Sequence, residues 1–217
     1  MPVVHTVISR PKPGRQTEAI NVAAQAAQLL RRNGAKDCRL LLANIAGEAS
    51  GLHTFVSEYE NNEDFGAVSE KLAVDPKLEA LMEAATGVNS PVTIENQSLV
   101  AEVPLGRTGQ SGRGSVIAVY ISRLLPGQLQ AGLDLARKGF DFVEGQGAMA
   151  PRLFVQSVAG SMTDLFVASF EFDSLRAWGK AQDAYLSPKG QKLAALLQAP
   201  DCPMVTVGSH LYQEIPI

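Results

Sequence analysis

The chain has 217 residues, of which 46% are apolar and 19% are charged, and its formal net charge at neutral pH is -3. This composition is typical of a globular protein and excludes a disordered chain, while the lack of a basic excess argues against nucleic acid as a partner. No stretch approaches the ~18 apolar residues of a membrane span, and the start lacks a basic leader, so we expect a cytoplasmic protein with no membrane partner.

The first half of the chain carries elements in the order βαββαβ. Short β-branched runs predict the strands, and apolar residues three and four positions apart predict the helices. Asp75-Pro76 interrupts the second helical stretch, because proline cannot continue a helix from its interior. The predicted elements are strand 3–10, a helix after Pro13-Gly14, strands 39–45 and 52–58, a helical stretch with Phe65, Val68 and Leu72, and strand 92–103.

The second half repeats this order after a glycine-rich segment at 106–114, which predicts a mobile linker. One helical face is marked by Leu129, Leu133, Ala136, Phe140 and Val143. Gly147, like Gly34 in the first half, fits the end of that helix. The predicted elements are strand 116–123, a helix over the marked face, strands 152–158 and 165–171, a helical stretch with Leu175, Trp178 and Leu186 that Ser187-Pro188 interrupts, and strand 204–215.

The two halves are copies of one unit. Ile-Ser-Arg at 8–10 returns at 121–123, an offset of 113 that continues until one residue drops out, after which Pro-Lys at 76–77 meets Pro-Lys at 188–189. A single register with one slip over a whole unit indicates duplication. The predicted domains are a ferredoxin-like repeat at 1–105, the linker at 106–114 and a second ferredoxin-like repeat at 115–217.

The strands are apolar on both faces, which predicts that both faces of each sheet are buried. Leu-Leu-Leu-Ala at 40–43 and Leu-Phe-Val-Ala at 165–168 show no alternation with polar residues. Helices cover one face of such a sheet, so the second unit is the available cover for the other. We therefore expect an α+β protein whose two tandem ferredoxin-like βαββαβ units form an intramolecular α/β barrel.

The sequence resembles the dimeric α/β-barrel superfamily in three motifs. These are the Ile-Ser-Arg strand end, Phe-Glu-Phe-Asp-Ser-Leu at 170–175 and Tyr-Leu-Ser-Pro-Lys at 185–189. NIPSNAP-like proteins and antibiotic-biosynthesis monooxygenases look most similar. The resemblance implies a protein that binds a small, aromatic or polyketide-like molecule. Any chemistry would be a cofactor-independent monooxygenation or an isomerisation. The NIPSNAP-like resemblance allows the alternative of a non-enzymatic binding or interaction module.

The haem-degrading branch of the same superfamily uses an Asn, a Trp and a His. At the matching positions this chain carries Ser122, Tyr185 and Ala194 in the second repeat. The axial histidine is missing there, and the first repeat lacks it too, which argues against haem because an iron without its ligand is poorly held. We predict no cofactor and no bound metal.

Three aromatic residues of the second repeat are candidates for a ligand pocket. Tyr120, Trp178 and Tyr185 are amphipathic, so each can hold a flat ligand while one end stays polar. The alternative for all three is ordinary core packing, which we favour for Trp178 because it lies on the buried stripe of a helix. No catalytic set can be inferred from local spacing, so a catalytic residue is not assigned.

Two further candidates carry charge or can acquire it. His53 could take part in acid–base chemistry, although an ordinary strand position is the favoured alternative. Arg123 could anchor an acidic ligand, or it and Arg10 could form structural ion pairs with Glu171 and Glu58. A single disulfide between Cys38 and Cys202 stays open, and duplication leaves both a monomer and a homodimer possible.

Overall fold

The computed structural model describes residues 1–106 and 112–217 of the chain. Two compact units are present. Unit 1 comprises Met1–Glu102 with the short segments Gln156–Thr163 and Gln213–Ile217, and unit 2 comprises Val103–Val155 and Asp164–Tyr212. The domain boundaries expected from the repeat stay a prediction, and residues 107–111 of the expected linker lie outside the described residues.

Unit 1 has a four-stranded antiparallel sheet. Its elements are β1 (Val3–Pro11), α1 (Gln16–Asn33), β2 (Asp37–Ile45), β3 (His53–Tyr59), α2 (Asn62–Ala73), α3 (Pro76–Thr86) and β4 (Val92–Glu102). β1 pairs with both β3 and β4, and β3 pairs with β2, so the strand order is β4-β1-β3-β2. That order is the one in which a βαββαβ chain places its first and third strands at the centre of the sheet.

Unit 2 repeats the arrangement. Its elements are β5 (Val116–Leu124), α4 (Leu129–Glu144), β6 (Met149–Val158), β7 (Phe166–Phe172), α5 (Leu175–Asp183), α6 (Pro188–Leu197) and β8 (Met204–Ile215). The last residues of β6 and β8, from Gln156 and from Gln213, are counted with unit 1. β7 pairs antiparallel with β5 and β6, and the strand order is β8-β5-β7-β6. The βαββαβ order predicted for both halves is therefore confirmed.

The helix boundaries follow from local chemistry. Asn61 and Ser174 accept hydrogen bonds from the backbone N–H groups of Asp64 and Ala177, which caps α2 and α5. Asp75 and Ser187 cap α3 and α6 in the same way, each with proline at the first helical position. Gly34 ends α1 with a φ of 121°, whereas α4 ends at Glu144, before Gly147.

A core of aromatic and aliphatic side chains lies between the sheet and the helices of unit 2. Its fully buried members include Val116 on β5, Phe172 on β7 and Phe140 on α4. Each such side chain contributes about 1.5–3 kcal/mol by leaving water. The predicted apolar face of α4 is correct for Phe140 and Val143, but Leu129 at its start is 55% exposed, because the first turn of the helix extends beyond this core.

Both cysteines are free thiols, Cys38 buried in unit 1 and Cys202 half-buried in unit 2. Burial raises the pKa of the Cys38 thiol to about 11. The disulfide that the sequence left open is therefore absent from the described residues. Among those residues no helix is both long and apolar enough to cross a bilayer.

Candidate functional site

A cavity of about 360 Å³ lies inside unit 2, between the sheet and the helices α4 and α6, and it is partly open to solvent. Strand alternation explains which side chains reach it, because residues two apart on a strand point to the same face. Tyr120 and Ser122 on β5 lie beside Ala168 and Phe166 on β7 in the antiparallel register, and all four line the cavity.

The polar part of the lining is built around Tyr120, Gln182 and Tyr185. The Gln182 side-chain amide donates a hydrogen bond of 3.2 Å to the Tyr120 hydroxyl oxygen. Because that oxygen already accepts from Gln182, the phenolic hydrogen of Tyr120 is left to donate elsewhere. Gln182 and Tyr185 are three residues apart, a spacing that places both side chains on the same side of the helical segment.

A close backbone contact holds Tyr185 in a single 3₁₀ turn at Ala184–Leu186, between α5 and α6. A Cβ added to Gly190 in the first turn of α6 would overlap the Tyr185 backbone, so glycine is needed for this approach. The Tyr185 ring then contacts Phe142 of α4, with ring centroids 4.8 Å apart. Side-chain packing and backbone packing together fix the position of this phenol.

The remaining walls are apolar and largely aromatic. The rings of Phe140 and Phe170 meet edge to face at 4.9 Å, and Tyr120 meets Phe170 at 6.0 Å. Such rings present flat faces and edges to an aromatic ligand at little conformational cost. Smaller polar groups come from Ser122, Thr206 and Ser209.

Both phenols stay neutral at physiological pH. Burial, together with a smaller effect of the nearby Tyr120 phenol, raises the pKa of Tyr185 to about 12. Burial also raises the pKa of Tyr120, an effect that the hydrogen bond from Gln182 partly offsets. Among the described residues that line the cavity, none is Asp, Glu, Lys, Arg or His. The cavity therefore offers hydrogen-bond donors without a net charge and without a base that works at neutral pH.

The candidate residues lie in three different settings. Tyr120 and Tyr185 line the cavity, and Trp178 packs against the core of unit 2 next to it. Arg123 is exposed, and strand alternation places it on the opposite face of β5 from Tyr120. His53 belongs to unit 1 and is buried on β3.

The histidines form separate local contacts. His53 Nε2 lies 2.8 Å from the Gln16 amide nitrogen, which can only donate, so the neutral ring accepts. Burial lowers the pKa of His53, as it does for His5 and His210. His210 Nδ1 is 3.0 Å from the Tyr212 hydroxyl. None of these rings lines the cavity of unit 2.

The ion pair proposed for Arg10 is different from the one observed. Arg10 Nε is 2.6 Å from Glu95 on β4, because β1 and β4 are direct neighbours in the sheet. The prediction that pairs it with Glu58 is wrong. Glu171 accepts a hydrogen bond of 2.7 Å from the backbone N–H of Gly114.

The residues present do not fit a histidine-ligated haem. Ser122 and Tyr185 line the cavity, and they occupy two of the positions at which the haem-degrading branch has its Asn, Trp and His. Among the described residues, no histidine lines the cavity. The third position is Ala194 on α6. Haem iron needs a strong axial donor, and raised phenol pKa values make the cavity tyrosines poor ones.

Some residues of the site were not predicted. Gln182, Phe140 and Phe170 contribute the central hydrogen bond and the aromatic walls. The spacing of Gln182, four residues after Trp178 and three before Tyr185, was a usable signal, because it places all three on one helical face. Phe170 could be placed only once the strand register was known.

Solved structures with the same fold cover nearly the whole chain. A proposed monooxygenase from Lactobacillus acidophilus matches 99% of this chain and 93% of its own, with a TM-score of 0.62 and 7% identity. An anthrone oxidase-like protein matches 99% and 91%, with a TM-score of 0.58 and 13% identity. A chlorite dismutase variant from Candidatus Nitrospira defluvii matches 100% and 91%, with a TM-score of 0.59 and 12% identity.

These likenesses show the fold. The chain shares the α+β fold of these structures, which confirms the fold class and agrees with the resemblance expected from the sequence. No protein-family model matches the sequence, and no curated protein does so.

Proposed function

We propose that the cavity of unit 2 binds a small, uncharged, flat molecule of the aromatic or polyketide class. The observation that carries this proposal is an apolar cavity whose titratable lining consists of two neutral phenols, Tyr120 and Tyr185, among the described residues. Apolar walls favour the ring system, and a carbonyl or hydroxyl oxygen of the ligand would accept hydrogen bonds from the phenols. A charged ligand would lose its hydration without gaining a counter-charge.

The chemistry we propose is a cofactor-independent monooxygenation. In an anthrone-type substrate a methylene group is oxidised by O₂ to a carbonyl, and the second oxygen atom leaves as water, so the substrate itself supplies the electrons. Loss of one methylene proton places negative charge on the carbonyl oxygen, and the phenols of Tyr120 and Tyr185 would stabilise that oxyanion by hydrogen bonds. An isomerisation would use the same enolate and return the proton to another carbon.

The proton itself has to leave through solvent. The described lining residues include no imidazole or carboxylate, and the raised pKa values of the phenols make them poor bases at neutral pH. The cavity is partly open, so water can accept the proton. The likeness of the fold to a proposed monooxygenase and to an anthrone oxidase-like protein supports this reaction class.

Oxygen uptake with dithranol, a dihydroxyanthrone, tests the proposal. We expect protein-dependent uptake that falls about a hundredfold or more in Tyr120→Phe and Tyr185→Phe, the size of effect seen when a donor to an oxyanion is removed. Tyr59→Phe is the matched control, because Tyr59 is a buried tyrosine of unit 1 that donates to Ser57. Uptake no faster than without protein would reject the enzymatic function. Binding of partners instead of small molecules would then favour the NIPSNAP-like alternative.

A further inference from the structure

Two glycines lie inside α4 on the face that lines the cavity. Gly132, Ala136 and Gly139 follow at spacings of four and three, so they share one side of the helix, and all three line the cavity. Glycine is the poorest helix former apart from proline. The first repeat carries alanines, Ala19 and Ala26, at the two glycine positions in the 113-residue register.

The space in front of the two glycines differs. A Cβ added to Gly132 would overlap the end of the Leu124 side chain, which covers the helix there. A Cβ added to Gly139 would meet no atom within 4 Å. Packing inside the protein therefore accounts for Gly132, but Gly139 faces open space within the cavity.

That open space adjoins the polar part of the site. Phe140, directly after Gly139, contacts Phe170, whose ring contacts Tyr120. Phe142, one turn after Gly139, contacts Tyr185. Because successive residues of a helix are about 100° apart around its axis, Gly139 projects between Phe140 and Phe142, whose contacts lead to the two phenols.

We infer that Gly139 is a specificity-determining residue of the site: it leaves room for an outer ring of a fused, planar, multi-ring ligand whose oxygen is bonded by Tyr120 and Tyr185. The inference rests on the proposed function and narrows its ligand class. A single-ring compound needs none of this space, whereas a fused ring system cannot shift away from α4 without losing its contacts with the phenols.

Fluorescence titration of the full-length protein tests the inference. Trp178 is the only tryptophan of the chain and lies one turn before Gln182 on α5, so its quenching reports occupancy of the cavity. The probes are danthron, a three-ring dihydroxyanthraquinone, and ortho-hydroxyacetophenone, which has one ring and the same carbonyl–hydroxyl pair. The variants are Gly139→Ala and Gly139→Ser. Gly179→Ala is the control, because the new methyl group on α5 also meets no atom within 4 Å, and Gly179 is not among the described lining residues.

We expect the Kd for danthron to rise about tenfold or more in both Gly139 variants, since one added methyl group in an apolar pocket changes discrimination by that order. The Kd for ortho-hydroxyacetophenone should stay at the wild-type value, which also shows that the variants are folded, and Gly179→Ala should match the wild type with both probes. Danthron binding in the Gly139 variants as tight as in Gly179→Ala would overturn the inference and leave the proposed function standing. Absence of saturable quenching by danthron in the wild-type protein would overturn both.

Discussion

Replacing Gly132, Gly139 or Gly179 of unit 2 by alanine should change the free energy of unfolding by different amounts, because the space for a new methyl group differs at the three positions. Gly→Ala in a helix interior gains about 0.8–1.0 kcal/mol from helix propensity. At Gly139 and Gly179 a Cβ meets no atom within 4 Å, so packing adds nothing and both variants should gain that full amount. At Gly132 the Leu124 side chain has to move, at a cost of about 0.5–1.5 kcal/mol for a displaced rotamer. Gly132→Ala should therefore be close to neutral.

Urea denaturation followed by Trp178 fluorescence measures this order, because the single tryptophan reports on unit 2. A shift in the midpoint at constant m gives the change in the free energy of unfolding. For a protein of this size about 1 kcal/mol corresponds to ~2–4 °C in Tm. A Gly139→Ala variant less stable than the wild type would show that the space beside Gly139 is filled, which would refute the reasoning. Equal gains at Gly132 and Gly139 would refute the packing argument for Leu124.

Three other predictions concern the core, the phenols and the thiols. Phe140→Ala should lower the free energy of unfolding by about 3–5 kcal/mol, measured by urea denaturation, because Phe140 is 2% exposed, whereas Phe140→Leu should cost clearly less. Because burial raises the pKa of Tyr120 and Tyr185 above the unfolded value of about 10, the unfolded chain loses these protons first. The contribution of the two phenols to the free energy of unfolding should thus be constant below pH ~10 and be lost as the pH rises towards 12. The wild type should therefore lose more stability over this range than a Tyr120→Phe/Tyr185→Phe variant. Cys38, with its thiol pKa raised to about 11, should react with Ellman's reagent more slowly than Cys202 in the native protein, and equal rates would contradict its burial.

The fold could be predicted because the sequence features that mark its strands and helices are local and occur in both halves of the chain. The repeat register placed corresponding strands and helices in both halves, and Ser187-Pro188 marked the break before α6. The end of α4 was placed about two residues too late, at Gly147 instead of Gly145, because glycine can end a helix at either position.

The site could be predicted only in part. Tyr120 and Tyr185 stood out because the second repeat has amphipathic aromatics where the first has none, and both line the cavity. The space at Gly139 could not be predicted, because a helix glycine looks the same in sequence whether it faces a neighbour, solvent or a cavity. The partner of Arg10 depended on the pairing of β1 with β4, which joins residues 85 positions apart.

The most direct test of the account is a danthron titration of the wild-type protein and of the Tyr120→Phe/Tyr185→Phe double variant, followed by Trp178 fluorescence. We expect saturable quenching in the wild type and a Kd about 5- to 150-fold higher in the double variant, since each of the two lost hydrogen bonds to a ligand oxygen costs about 0.5–1.5 kcal/mol. An unchanged Kd in the double variant, or no saturable quenching in the wild type, would contradict the claim that the two phenols of unit 2 bind a flat aromatic ligand.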